Sequence, residues 1–165
     1  MKMESKNPLV YVDMDGVVAD FVGKYKECFG RCAVEDGIEE ASRICSTVPE
    51  FFSYLESIPK GIELVKWLTN NEYEVVFLTT PIPEMERCTK DKIAWIRRKI
   101  GDGYSVIFAK NKARYVESDK DILIDDMSHN LIAWEMSGGV AINFAHDLKE
   151  IKRIVRDTHN SCVGG

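Results

Sequence analysis

The sequence predicts a doubly wound α/β fold, a central layer of parallel strands with helices on both faces. Three observations predict it. Short apolar runs recur as continuous rather than alternating hydrophobic stretches, the pattern of strands buried on both faces. Helical periodicities separate these runs, so strand and helix alternate along the chain. The runs end in acids, hydroxyls and ammonium groups, as expected where a ligand crevice lies beyond the carboxyl ends of the strands. At 165 residues the chain is long enough for one domain with a proper core.

The first strand is LVYV, Leu9 to Val12, and it runs directly into Asp13, Met14, Asp15 and Gly16. Residues 22–58 then break the alternation, with polar helical stretches and the aromatics Phe29, Phe51, Phe52 and Tyr54. This segment is too long for an ordinary crossover and reads as a small helical cap over the carboxyl edge of the sheet. Residues 1–21 and 59–165 would form the core domain. A helix over Lys60 to Asn70 carries Ile62, Val65 and Leu68 on one face, with Asn70-Asn71 as its stop. The second strand, VVFL from Val75 to Leu78, ends in Thr79 and Thr80. A helix over Glu84 to Ile100 carries Met85, Cys88, Ile93, Ile96 and Ile100, and Gly101 is placed to cap it.

The third strand, SVIF from Ser105 to Phe108, is followed by Lys110 and Lys112, where KAR opens a helix. The fourth, ILI from Ile122 to Ile124, delivers Asp125 and Asp126 ahead of a helix starting near Ser128, which Asp126 could cap. A fifth, VAINF from Val140 to Phe144, follows the turn glycines Gly138 and Gly139. The last helix, Asp147 to Asp157, aligns Leu148, Ile151, Ile154 and Val155, and Asp147 with Glu150 resembles a capping box. The tail Ser161 to Gly165 is expected to fray.

Composition narrows the function. A formal net charge of -5 offers no bulk attraction to a polyanion, so duplex nucleic acid is not an expected partner. No apolar run approaches the roughly 18 residues of a membrane helix, and the N-terminal MKMESKNP lacks a signal-peptide core. Cys28, Cys32, Cys45, Cys88 and Cys162 form no CxxC pair and no zinc spacing. They read as reduced thiols of a cytoplasmic protein, with Cys28 and Cys32 four apart on one helix. His129, His146 and His159 form no cluster in sequence, and a homodimer is compatible with the composition.

The strand ends define a chemistry. Asp13, Asp15, Asp125 and Asp126 at one edge would repel one another unless a cation neutralised them. Oxygen donors without histidine or thiolate favour Mg²⁺. Hydroxyls from Thr79 and Thr80 and a lysine ammonium beside such a site form a cradle for phosphate oxygens. An aspartate facing that phosphate can attack it to give an aspartyl-phosphate, and a second can move the proton.

DMDGV at Asp13, LTT at Leu78 to Thr80, a lysine after the third strand and LIDD at Leu123 to Asp126 resemble the four motifs of the haloacid dehalogenase superfamily of phosphohydrolases. The longer forms DMDGVVADF, FFSYLESIPKGIELV, LTTPI, CTKDKIAWI and LIDDMSHNL are similar to the 5′(3′)-deoxyribonucleotidase family. The resemblance implies a three-layer α/β/α sheet with a cap after strand one, and hydrolysis of a phosphomonoester, here a deoxyribonucleoside monophosphate. Asp13 would be nucleophile and Mg²⁺ ligand, and Asp15 the general acid/base, lending its backbone carbonyl to the metal. Asp125 would ligate the metal, with Asp126 acting directly or through water. Thr79 and Thr80 would hold phosphate; Lys112, or Lys110 in competition with it, would neutralise it. Phe21 is placed to line the substrate. Lys92 either reaches the site to bind phosphate or base, or snorkels past the helix end. Asn130 and His129 could support the Asp125 loop, with His129 at the surface the simpler reading, and Trp67, Trp95 and Trp134 read as packing residues.

The cap departs from the family pattern, because it is short and offers aromatics such as Phe21, Phe29, Phe51, Phe52 and Tyr54 but no tryptophan. Three other activities remain open on sequence: a phosphatase for another small metabolite such as a sugar phosphate, a polynucleotide 3′-phosphatase, and a non-catalytic nucleotide or phosphate sensor. Cap aromatics disfavour a sugar, the acidic balance disfavours a polynucleotide, and retention of Asp13 and Asp15 disfavours a sensor.

Overall fold

A computed structural model describes residues 8–161. Cys162, the N-terminal heptapeptide and the end of the expected frayed tail lie outside the described residues. Five strands pair in parallel: β1 (Leu9–Val12), β2 (Glu74–Thr79), β3 (Ser105–Phe108), β4 (Ile122–Asp125) and β5 (Val140–Asn143), in the order β3-β2-β1-β4-β5. The chain thus builds outward from β1 to β3, then returns to place β4 on the other side of β1. That reversal creates the crevice in which doubly wound sheets bind ligands.

The continuous apolar runs are explained by two different cores. In β1, Val10 and Val12 enter a large cluster with Leu64, Val65, Trp95, Ile96, Ile151 and Val155. Leu9 and Tyr11 point the other way, to Trp134, Leu123, Val76 and Leu78. A two-residue side-chain period with both faces covered leaves no position for a polar residue. The helices α3 (Pro59–Asn70), α4 (Cys88–Lys99) and α6 (Leu148–Asn160) serve the first core, and α5 (Ser128–Met136) the second. Among the described residues, no helix is long and apolar enough to cross a membrane.

Between β1 and α3 the chain forms α1 (Phe21–Phe29), α2 (Ala33–Cys45) and a 3₁₀ turn (Phe51–Tyr54). Asp20 caps α1 by accepting from the Gly23 amide at 2.8 Å. The two passages that connect this segment to the sheet lie side by side: the Asp20 amide donates to Glu56 O, and the Ile58 amide to Val18 O, each at 2.8 Å. Its apolar residues Tyr25, Ile44, Phe51, Phe52 and Leu55 merge into the first core. Trp95 of α4 is fully buried and donates its indole N–H to Leu55 O at 2.8 Å, and Arg98 reaches Ser53 O. Trp67 packs on Tyr73 and Trp134 on Tyr11, so all three tryptophans are packing residues.

Several boundaries differ from expectation for local reasons. The helix expected from Glu84 begins at Cys88, because residues 82–87 turn instead, with the Met85 amide on Ile82 O and the Cys88 amide on Met85 O. Cys28 and Cys32 do not share a helix: α1 ends at Phe29 with left-handed Gly30, and Cys32 starts α2. Asp147 does cap α6, accepting from the Glu150 amide at 2.8 Å, while the Glu150 carboxylate turns to Arg153.

One residue in α3 has a role its propensity conceals. Gly61 is buried in the first turn of the helix, where glycine is weaker than alanine by ~1 kcal/mol. A Cβ there would lie 1.8 Å from the Val17 carbonyl oxygen, a backbone atom of the loop after β1. Alanine would force α3 away from that loop, so Gly61→Ala is expected to destabilise by about 1–3 kcal/mol despite the better propensity. A thermal melt that rose instead of falling would contradict this packing.

Candidate active site

The sheet register decides which strand ends meet. Val12 pairs with Ile124, so the next residue on each strand, Asp13 and Asp125, stand beside each other at the carboxyl edge. The Asp13 amide still donates to Ile124 O at 3.0 Å, which fixes its backbone to β4. Beyond it the chain reverses tightly. The amides of Val17, Val18 and Ala19 converge on Met14 O at 2.9–3.3 Å, and Gly16 turns with φ +81°. A Cβ at Gly16 would fall 2.1 Å from Asp126 Oδ2, so the absent side chain is what admits Asp126 to the site.

Asp13 and Asp125 are buried, and they and Asp126 can present oxygens within 4.8 Å of one another. Lys112, 2% exposed, sits between them, its ammonium 2.8 Å from Asp13 Oδ1 and 2.7 Å from Asp125 Oδ2. It arrives there on the return crossover from β3 to β4, at the head of a 3₁₀ turn (Lys112–Tyr115) rather than a full helix. Lys110 is exposed, so of the two competing lysines it is Lys112 that meets the carboxylates. Asp125 is further held by the Met127 amide at 2.8 Å and Asn130 Nδ2 at 3.1 Å, while His129 is exposed. Asp126 does not cap α5, whose first turn has no side-chain cap; Asp125 accepts from the Met127 amide instead.

On the other side of Asp13, Lys92 of α4 is 1% exposed and donates to Asp15 Oδ2 at 2.7 Å, Thr80 O at 2.8 Å and Thr79 Oγ1 at 3.0 Å. The snorkelling alternative is therefore not what the side chain does. Thr79 is fully buried at the end of β2. Thr80 differs from its expected part in a hydroxyl cradle: its side chain is turned to Ala109 O at 3.3 Å, and it meets Lys92 through its backbone. Phe21 joins an aromatic cluster, 5.3 Å from Phe51, 6.1 Å from Phe52 and 6.0 Å from Tyr25. Phe52, which the sequence reading offered only as one cap aromatic among several, lies over the Lys92 ammonium at 4.5 Å.

Burial and like charge oppose ionisation of these carboxyls. Burial, then the neighbouring Asp125 charge, pushes the Asp13 carboxyl above its ordinary value against the pull of Lys112. Burial also raises Asp15, although Lys92 pulls the other way. Asp126 is exposed as a residue, but its carboxyl faces the site, where desolvation and the charges of Asp13 and Asp125 raise it to about 8. Lys112 is raised because its two carboxylates outweigh the desolvation that opposes them. Cysteine chemistry has no foothold here, since burial pushes the Cys45 thiol up to about 12 and raises that of Cys88 as well.

The chain is also similar to known proteins. The family described as 5′ nucleotidase, deoxy (Pyrimidine), cytosolic type C protein matches residues 39–156. The mitochondrial 5′(3′)-deoxyribonucleotidase of Mus musculus is 30% identical over 142 residues, covering 71% of this chain. The cytosolic type of Homo sapiens is 28% identical over 142 residues, covering 71% of this chain and 69% of its own length. The chain spans 63% of the length of the mouse relative. Among solved structures, a HAD family enzyme from Bacteroides thetaiotaomicron superposes with a TM-score of 0.52 at 12% identity, covering 88% of this chain and 98% of that one, which supports the fold alone. With its parallel sheet, its acidic strand ends and a family match over most of its length, the chain belongs to the 5′ nucleotidase, deoxy (Pyrimidine), cytosolic type C protein family.

Proposed function

We propose that this protein hydrolyses phosphomonoesters through an aspartyl-phosphate on Asp13, and that its substrates are deoxyribonucleoside monophosphates. One observation carries the reading: Asp13, Asp125 and Asp126 converge within 4.8 Å at a sheet edge that also holds Asp15, Thr79 and two buried lysines. When fully ionised, the four carboxyls outnumber the two ammonium groups by two charges, which a divalent cation would offset. The donor set is all oxygen, which fits Mg²⁺. Asp13, Asp125, Asp126 and the Asp15 carbonyl would hold it, and it would supply charge neutralisation and Lewis-acid polarisation of the phosphate.

The chain's own groups divide the remaining work. Asp13 Oδ1 is occupied by Lys112 and by the Met14 amide at 2.8 Å, which orients the carboxylate and leaves Oδ2 to attack phosphorus. Thr79 and Lys112 would take phosphate oxygens. The leaving alcohol takes a proton from Asp15, and Asp15 then removes one from the water that cleaves the aspartyl-phosphate. The segment 22–58 acts as the cap that excludes water and selects the leaving group, with Phe21 packed against its Phe51 and Phe52. The names of the relatives and the aromatic cluster support a nucleobase in preference to a sugar. A cytoplasmic location belongs to the same reading, supported by the cytosolic type among its relatives.

Phosphate release from deoxy- and ribonucleoside monophosphates, sugar phosphates and a 3′-phosphorylated oligonucleotide, with Mg²⁺ and with chelator, tests this. Metal-dependent release that favours deoxynucleotides is expected. Release from sugar phosphates alone would remove the substrate assignment, and no release by folded, Mg²⁺-binding protein would remove the enzymatic one.

The site also predicts a pH dependence. Metal binding needs Asp126 ionised, so Mg²⁺ affinity should rise with pH until about 8 and release a proton on binding below it. The sign for stability is opposite in the metal-free protein. A carboxyl raised from 3.8 to about 8 binds its proton better in the folded state, so stability is lost as pH climbs through that window. Calorimetric titration in two buffers of different ionisation heat would show the proton. Equal Mg²⁺ affinity at pH 6 and 8 would contradict the assignment of Asp126.

A further inference from the structure

We propose that Lys92 is a positioning residue for the proton-transferring carboxyl of Asp15, and not a phosphate-binding lysine. The inference rests on the hydrolytic reading above and assigns a part of that site which the reading leaves open. An ammonium has three N–H donors, and in Lys92 all three have partners at 2.7–3.0 Å: Asp15 Oδ2, Thr80 O and Thr79 Oγ1. The Phe52 ring, 4.5 Å from the nitrogen, covers it as well. Lys112 has two carboxylate partners and keeps a third donor, whereas Lys92 has none left over for an incoming phosphate. To bind phosphate, Lys92 would have to release a buried partner.

The division of labour within Asp15 supports the same role. Lys92 anchors Oδ2, while Oδ1 is buried and has no hydrogen-bond partner. A carboxyl that carries one proton to a leaving oxygen, and later takes one from water, uses a single oxygen. Fixing the other oxygen removes rotation about the side chain and aims the free one. Lys112, by contrast, spans two carboxylates that would face metal and phosphate, so the two buried lysines have different tasks. Phe52 ties this arrangement to the segment after β1, because the ring that covers Lys92 belongs to the same aromatic cluster as Phe21 and Phe51.

The test compares leaving groups. A deoxyribonucleoside monophosphate leaves as an alkoxide and needs the proton from Asp15; p-nitrophenyl phosphate leaves as a stable phenolate and does not. In Lys92→Met, the single-turnover rate on the nucleotide should fall on the order of 10²-fold, the scale of general acid catalysis. The burst of nitrophenol should fall less than about threefold, with KM for both substrates little changed, because the nucleophile and phosphate contacts are intact. Lys92→Gln, which keeps an amide donor in the site, provides the same comparison if the methionine variant does not fold. Equal losses on both substrates with a raised KM would overturn the proposal and make Lys92 a phosphate ligand. Wild-type protein that releases phosphate from neither substrate would defeat the hydrolytic reading itself, and this inference with it.

Discussion

Replacing Asp13 with asparagine should abolish phosphate release, with a loss on the order of 10⁴-fold or more in kcat, while the protein stays folded. A neutral amide oxygen cannot form the acyl phosphate, and losses of that size follow removal of a covalent nucleophile elsewhere. The fold should survive because asparagine keeps the shape of the side chain and its oxygen can still accept from the Met14 amide and Lys112. It also removes a carboxylate that burial and Asp125 already disfavour. The melting temperature should therefore stay within a few degrees of the wild type, by the scale of ~2–4 °C per kcal/mol for a chain of this length. Stability measured together with turnover separates a lost nucleophile from a lost fold. Residual turnover within tenfold of wild type would show that Asp13 is not the nucleophile.

The largest effect on stability is expected from Lys112→Met. Lys112 is the buried cation between Asp13 and Asp125, and removing it leaves two neighbouring carboxylates without compensation. Breaking a buried pair from one side costs about 3–5 kcal/mol, which corresponds to a fall of roughly 6–20 °C in melting temperature. The penalty should depend on pH in a known direction. Without the lysine, the Asp13 carboxyl loses the cation that pulls against its raised value, and a raised carboxyl favours the folded state only while it holds its proton. The variant should thus be least destabilised near pH 5 and most destabilised above pH 8. Millimolar Mg²⁺ should return part of the loss, since it supplies charge to the same oxygens. A Lys112→Met protein as stable as wild type at pH 8 without metal would mean that the two carboxylates are not held as charged neighbours.

Much of this site was legible in the sequence because the fold class converts strand ends into positions. A short continuous apolar run that alternates with helical patterns fits a strand covered on both faces, and in a parallel sheet its next residue lies at the ligand edge. Asp13, Thr79 and Asp125 follow from that rule alone, and β1 and β3 have the expected bounds. The clear apolar stripe of α6 and its Asp147 cap were legible for a related reason, since both are local properties of a few residues. At residues 82–87 two turns precede the helix, and the periodic pattern in the sequence ran ahead of the helix itself.

Other parts were decided by the tertiary structure, because they depend on contacts distant in sequence. Lys110 and Lys112 both follow β3 closely, and although KAR favours Lys112, it is the return crossover that carries Lys112 to the carboxylates. Thr80 has the same side chain as Thr79, but its hydroxyl turns to Ala109 O on the chain leaving β3. Gly61 reads as a weakness in a helix until Val17 O is found against it. Lys92 is the fullest case. It lies 77 residues from Asp15 and 13 from Thr79, and nothing in α4 says that its three donors would be used within the site. The sequence by itself determined the layers, the edge and the chemical types gathered there, since these follow from periodicity and parallel pairing. Which lysine serves which carboxylate was set only by packing in three dimensions.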